Sequence, residues 1–349
     1  MRSADDKAIR IGKKTDRETY IDYIRVFSMC LVIALHCVCD YHEDMYNSEK
    51  LSWWIIGFIN EVARIGVPLF FMISGYLILR SEKTKNIKEF YKKRLSKILI
   101  PFLIYSVLYY IYFCVTDGKN ILSFAFIRQL ADRGTAYHLW FIYSILLFYL
   151  FAPFIKRVID NAGRKMLLLF LILVLFQTTL KPFINIILNG RIYLYLAEDG
   201  VTGYFGYMVL GYILGSYEIR INRAVLISAL AVTVAGFALV NSIYAYKTWS
   251  FLLNGGYELN HYLEASMAFL IFKGLDLKHG KLMGILSALC MNVYFVHVFF
   301  IDFIGTHISR LPLEIYFPAL FVISTVLSFS VSYIIAAVSK RLQMGRIQR

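Results

Sequence analysis

The chain has 349 residues, 59% of them hydrophobic and only 17% charged, with a mean hydropathy of +0.60. No soluble domain carries that balance, so the composition points to an integral membrane protein. The formal net charge of +14 would suit a nucleic-acid binder, but the basic residues fall in short loops between apolar runs. No nucleic-acid partner is therefore expected.

Residues 1–23 are charged and lack an apolar core, so they read as a cytoplasmic tail rather than a signal peptide. Met1-Arg2-Ser3 also lacks the second-position glycine that myristoylation requires. Apolar stretches of about 20 residues then predict ten spans. They lie near 24–40, 51–79, 98–116, 138–155, 166–188, 201–217, 224–245, 258–272, 283–304 and 313–338. The expected fold is all-α, a polytopic membrane protein with about ten transmembrane helices. Residues 24–338 form its membrane domain and 339–349 a basic cytoplasmic tail. No repeat, low-complexity tract or long linker interrupts it.

The first span, DYIRVFSMCLVIALHC, carries Arg25 and His36 in an otherwise apolar run. Eleven residues at ~1.5 Å each set them roughly 16 Å apart, and at ~100° per residue both point to one face. An ionisable group inside a bilayer is expensive and normally lines a cavity or pathway. Asp22, three residues before Arg25, is placed to pair with it; Asp40, four after His36, is placed to orient its ring. All five cysteines lie in predicted spans, so disulfides are not expected. His36 and Cys37 in HCVC diverge by ~100° and cannot chelate one ion, so no metal is expected there.

The second span is too long for one straight helix and contains Asn60, Glu61, Arg64, Gly66 and Pro68, which predicts a break. Ser74 and Gly75 further along offer a small surface on which a helix or ligand can lie. The loop RSEKTKNIKEFYKKRLSK holds Arg94 and Lys97 on one helix face. The fourth span carries Trp140, Tyr149 and Pro153; the fifth contains Lys181 and Pro182, so its outer end is expected to leave the membrane. In the eighth, Glu264 follows His261 at spacing three, making it a buried-acid candidate. In the ninth, Tyr294 and His297 share a face.

The loops fix the orientation. With the N-terminus inside, about 27 Lys and Arg lie in the inside segments and about 8 in the outside loops. This is the bias of a protein with both termini in the cytoplasm.

Several blocks resemble the membrane-bound acyltransferase-3 family. The Arg25–His36 spacing is similar to its Arg-x10-His signature, and GVPLFFMISGYLI (66–78) to its second-helix block. FYKKRLSKILIP (90–101) resembles its basic third-helix entry, with Lys97 where an arginine is usual. HLWFIYSILLFYLFAPF (138–154) and VYFVH (293–297) resemble its fourth-helix and late Tyr-x-x-His elements.

The resemblance implies an O-acyltransferase of the cell membrane, acting on a surface polysaccharide or its lipid-linked precursor. Acyl-CoA, acetyl-CoA above all, would be the co-substrate, with no permanently bound cofactor and no metal. His36 is the expected general base, since imidazole takes a hydroxyl proton near neutral pH, and His297 is a second catalytic candidate. Arg25, Arg94, Lys97, Ser74, Trp140 and Tyr294 are expected to contact the donor or substrate, with Asp22, Asp40 and Glu264 as orienting acids. Many relatives carry a fused extracytoplasmic domain; without one, transfer is expected to be direct or relayed by a separate extracytoplasmic transferase. Membrane lipids complete the expected partners. An exporter of glycan intermediates would also bury ionisable groups in helices, but it predicts paired broken helices, and only one break is evident.

Overall fold

The structure is a computed structural model that describes residues 18–44, 51–121, 125–132, 134–187, 199–248, 255–278 and 280–347. The described residues are helical almost throughout. The elements run α1 (Thr19–Asp44), α2 (Leu51–Arg64), α3 (Gly66–Leu79), α4 (Ile87–Thr116), α5 (Ala125–Asp132), α6 (Trp140–Asn161) and α7 (Arg164–Ile187). The order continues with α8 (Asp199–Ser216), α9 (Arg223–Thr248), α10 (Leu259–Lys273), α11 (Lys281–Ile308) and α12 (Leu313–Ile347). Every span predicted from the apolar pattern is helical.

Among the described residues, seven segments are long and apolar enough to cross a membrane. They are Thr19–Val38, Leu51–Leu79, Ile87–Thr116, Tyr137–Asn161, Arg223–Lys247, Lys281–Ile308 and Leu313–Arg341. The other three predicted spans correspond to α7, α8 and α10. Helix α10 is short for a span. Its 15 residues reach about 22 Å at 1.5 Å each, less than a ~30 Å hydrocarbon core, and it buries Asn260, His261 and Glu264. Its polar face is covered by protein, while Leu263 on the same helix stays exposed. Helices α9 and α12 leave Val232, Leu239, Val326 and Ile334 exposed, as lipid-facing helices do.

The chain divides into two compact units, one of Met1–Leu77 with Gly163–Arg349, the other of Ile78–Ala162. In the first, α1 packs against α2, α10, α11 and α12, α9 against α2 and α10, and α8 against α7 and α10. The expected break in the second span falls at Ile65, between α2 and α3. Pro68 has no N–H to give to Arg64, and the helix restarts with Leu69 N–H donating to the Ile65 carbonyl (3.1 Å). Gly66 at the restart lets α1 come close, since a Cβ there would lie 2.9 Å from the Ser28 carbonyl oxygen.

A second close approach holds α3 to α8. A Cβ on Gly75 would sit 2.2 Å from the Met208 carbonyl oxygen, and one on Gly211 2.1 Å from that of Met72. The two helices therefore meet backbone to backbone through reciprocal glycines. Gly75 is the small surface the sequence predicted beside Ser74, and its occupant is a helix.

In the second unit, α4 begins at the Asn86 cap, whose side chain accepts from Glu89 N–H (3.3 Å). It packs against α6, where Tyr91 donates to the Leu150 carbonyl (2.5 Å) and Tyr149 meets Phe90 edge-on at 6.1 Å. The predicted departure of the fifth span near Lys181 and Pro182 concerns side chains outside the described set, although α7 continues to Ile187.

Candidate functional site

Two polar levels lie along the seam between α1 and α11. At the first, Asp22 is buried and its Oδ1 accepts a 2.6 Å hydrogen bond from the Ser287 hydroxyl. Arg25, one turn on, reaches the same oxygen and the same hydroxyl, each at 3.4 Å. At the second level, His36 meets His297, their ring centroids 5.3 Å apart and planes tilted by 35°. The lower contact joins earlier residues of both helices and the upper joins later ones, so α1 and α11 run in the same direction. The eleven-residue spacing on α1 puts Arg25 and His36 on the face that α11 covers.

His297 is fully buried, and its Nδ1 stands 2.7 Å from the Tyr294 carbonyl oxygen. A proton on Nδ1 satisfies that carbonyl and leaves Nε2 as the lone-pair nitrogen. The Tyr294 ring lies 5.7 Å from that of His297, so the predicted i, i+3 pair is a real contact. Tyr20 and Phe27 of α1 pack on Phe269 and Phe272 of α10, at 5.9 and 5.2 Å between centroids. The Arg64 guanidinium at the end of α2 stands within electrostatic range of His36. Together these contacts hold two cations, one acid and two imidazoles in a mostly apolar frame.

Glu264 belongs to a different cluster. Glu61 of α2 and His261 and Glu264 of α10 each offer a ligand atom, and these atoms all lie within 4.8 Å of one another. Asn260 and Asn241 donate to the two Glu61 oxygens at 2.6 and 2.9 Å. Glu258 Oε2 lies 3.3 Å from His261 Nδ1. Sequence spacing shows the His261–Glu264 pair but carries no sign that Glu61, about 200 residues earlier, completes it.

Arg94, Lys97 and Trp140 belong to the second unit. Arg94 is half-buried on α4, Lys97 is exposed one turn later, and Trp140 is exposed at the start of α6. Nearby in the chain, Lys85 bridges Glu82 (2.8 Å) and Asp160 (2.9 Å), and the buried Lys156 joins both acids. The hydrogen bonds from Lys85 and then Lys156 hold the Glu82 carboxylate below its ordinary value. Those to Glu82 and Asp160 push the Lys85 ammonium up to about 12.

Ser74 is half-buried on α3, beside the Gly75 crossing. Asp40 lies in α1, but its side chain is outside the described residues. Cys30, Cys114 and Cys290 are free thiols and Cys37 is buried in α1; the Cys39 side chain falls outside the description. Sequence reading missed Ser287, because a lone serine in an apolar helix carries no pattern. Arg64 entered it only as a helix-breaking feature.

A family model described as an acyltransferase domain matches residues 18–337. Glucans biosynthesis protein C from Salmonella paratyphi B and from Salmonella heidelberg are each 33% identical to this chain over 89 residues. Those matches cover 25% of this chain and 23% of the relatives' own length. No solved structure matches it.

Proposed function

The chain belongs to the acyltransferase-3 family and is a multi-pass membrane protein, and we propose that it is an acyltransferase with the donor, acceptor and base that follow. The donor is acyl-CoA, acetyl-CoA in the simplest case, taken from the cytoplasmic side of a bacterial cytoplasmic membrane. The acceptor is a hydroxyl of a surface polysaccharide or its lipid-linked precursor. The relatives' names, which refer to glucan biosynthesis, favour a carbohydrate.

His36 acts as the general base. The acceptor O–H gives its proton to the imidazole as its oxygen attacks the thioester carbonyl; the C–S bond then breaks, and the coenzyme leaves as its thiol after taking that proton. His297 positions the His36 ring and shares its proton through Nε2. Arg25, fixed by Asp22 and Ser287, offers charge to a donor phosphate. Arg94 and Lys97 on α4 are basic groups suited to phosphate, the lysine as a point charge in place of an arginine fork.

The observation that carries this reading is the meeting of His36 and His297 at 5.3 Å. Helix packing alone gives no reason to bring two ionisable rings together in an apolar seam. The test is acyl transfer by purified His36→Ala, with donor binding and thermal unfolding as controls. A positioned base contributes roughly 10²–10⁴-fold, so activity should fall by that factor while donor affinity and folding hold. Near-normal turnover in a folded His36→Ala protein would remove the base from the mechanism.

A further inference from the structure

We propose that Glu61, His261 and Glu264 form a binding site for one divalent transition-metal ion. The sequence reading places no metal in this chain, and neither the Arg25–Asp22–Ser287 contacts nor the histidine pair uses these three residues. Each is buried to within 2% of full burial, on helices that face one another inside the first unit. His261 and Glu264 are three apart on α10, so one helical face presents both, and α2 supplies the third donor from across.

Glu264 is the decisive residue. It has no solvent exposure, and neither carboxylate oxygen has a hydrogen-bond partner, yet one of them lies within 4.8 Å of the donor atoms of Glu61 and His261. A buried carboxylate with no partner is unstable as an anion, and a cation at the point where three donors converge removes that instability. The surrounding groups are arranged as the outer shell of a metal site. Glu258 stands 3.3 Å from His261 Nδ1, which turns Nε2 toward Glu61 Oε1, 3.8 Å away. A carboxylate behind a histidine fixes its tautomer and raises its basicity as a ligand.

Glu258 is itself held by the backbone N–H groups of Gly255 (2.8 Å) and Tyr257 (3.1 Å). The Asn260 and Asn241 amides orient Glu61 and leave each of its oxygens a further lone pair. The Asn260 amide also stands 3.5 Å from His261 Nε2.

The donor set selects the class of ion. One imidazole nitrogen with two carboxylates suits Zn²⁺, Mn²⁺ or Fe²⁺, whereas Ca²⁺ and Mg²⁺ take oxygen donors alone. Bonds of about 2.0–2.1 Å place tetrahedral donors roughly 3.4 Å apart. From 4.8 Å or less, closing onto an ion takes side-chain rotation of about an ångström and no backbone shift. Three glutamates around one imidazole also leave an excess of negative charge, and a divalent cation offsets it.

The test uses the full chain purified in detergent from cells grown with added zinc and manganese. Elemental analysis after gel filtration should find close to one ion per chain. Glu264→Gln, nearly isosteric, and His261→Asn should each lower that content at least fivefold while eluting as the wild type does. Protein stripped with a chelator should gain thermal stability when Zn²⁺ is returned, and stripped Glu264→Gln should not. Metal far below one per chain in the wild type, or equal content in Glu264→Gln, would show that protons neutralise the cluster instead. Should both variants aggregate, the stripped wild type decides the matter: no stabilisation by Zn²⁺ or Mn²⁺ overturns the site. None of these readouts depends on acyl transfer, so failure of the metal site and failure of the proposed His36 chemistry are separately visible.

Discussion

Replacing Gly75 by alanine adds one methyl group, and the structure fixes where it goes. The new Cβ would lie 2.2 Å from the Met208 carbonyl oxygen and 2.4 Å from its Cα, whereas ordinary contact begins at 3.4 Å. The helices must therefore separate by about 1.2 Å at this crossing, and because the opposing atoms are backbone, no rotamer change relieves the clash. Overpacking of this kind destabilises by roughly 1–3 kcal/mol. Alanine's better helix propensity returns up to about 1 kcal/mol, so a net loss is expected. Gly236 supplies the control, since nothing lies within 4 Å of a Cβ built there; Gly236→Ala should be neutral or stabilising. Thermal unfolding of the purified variants reads both. Gly211→Ala should match Gly75→Ala, and the double variant should lose less than the sum because the two share one crossing. An unfolding temperature for Gly75→Ala equal to or above the wild type would refute the backbone contact between α3 and α8.

Arg94→Ala should weaken acyl-CoA binding while Lys97→Arg retains or improves it, because an arginine fork meets phosphate at least as well as an ammonium; unchanged affinity in Arg94→Ala would reduce the basic loop to a topology signal. Asp22→Asn removes the charge that fixes Arg25 and Ser287, at a cost of roughly 1.5–3 kcal/mol for a hydrogen bond to a charged group. It should lower the unfolding temperature and raise the apparent KM for the donor, and an unchanged KM would detach Arg25 from donor binding. The Glu82–Lys85 link should hold the Glu82–Asp160 cluster together across a wide pH plateau. The lowered Glu82 value means its contribution is complete above 4.5 and is lost as pH falls through its folded value. Lys85, raised from 10.5 to about 12, contributes below 10.5 and loses that contribution as pH rises through about 12. Hydrogen exchange at residues 82–85 measures this; Glu82→Gln should remove the Glu82 share of the acid-side loss and, because Glu82 is the first cause of the raised Lys85 value, weaken the alkaline-side loss as well.

What the sequence makes legible here is what a single helix determines. The Arg25–His36 stripe, the Asp22–Arg25 pair, the Tyr294–His297 contact and the break near Pro68 all follow from spacing within one run of residues. The surroundings of α10 do not follow so simply. Apolar length treats α10 like any other span, but a helix of 15 residues that buries a glutamate, a histidine and an asparagine has its polar face covered by protein. Hydropathy averages over that distinction, because the apolar residues on its other faces compensate for the polar ones.

Contacts between distant helices are where the physics leaves the sequence silent. Both imidazoles can be placed at a similar depth by counting residues from the cytoplasmic loops, yet depth does not say which helices are neighbours. That α1 and α11 run side by side in one direction requires the whole bundle, because parallel neighbours cannot be joined by a short turn. The same holds for Glu61, which looks like a helix-breaking polar residue until α10 is packed against it. The Arg25–His36 stripe and the Tyr294–His297 pair meet at the α1–α11 seam, whereas Glu61, His261 and Glu264, which only tertiary packing unites, meet between α2 and α10. Arg64 connects the two groups: it follows Glu61 by one turn of α2 and lies within electrostatic range of His36.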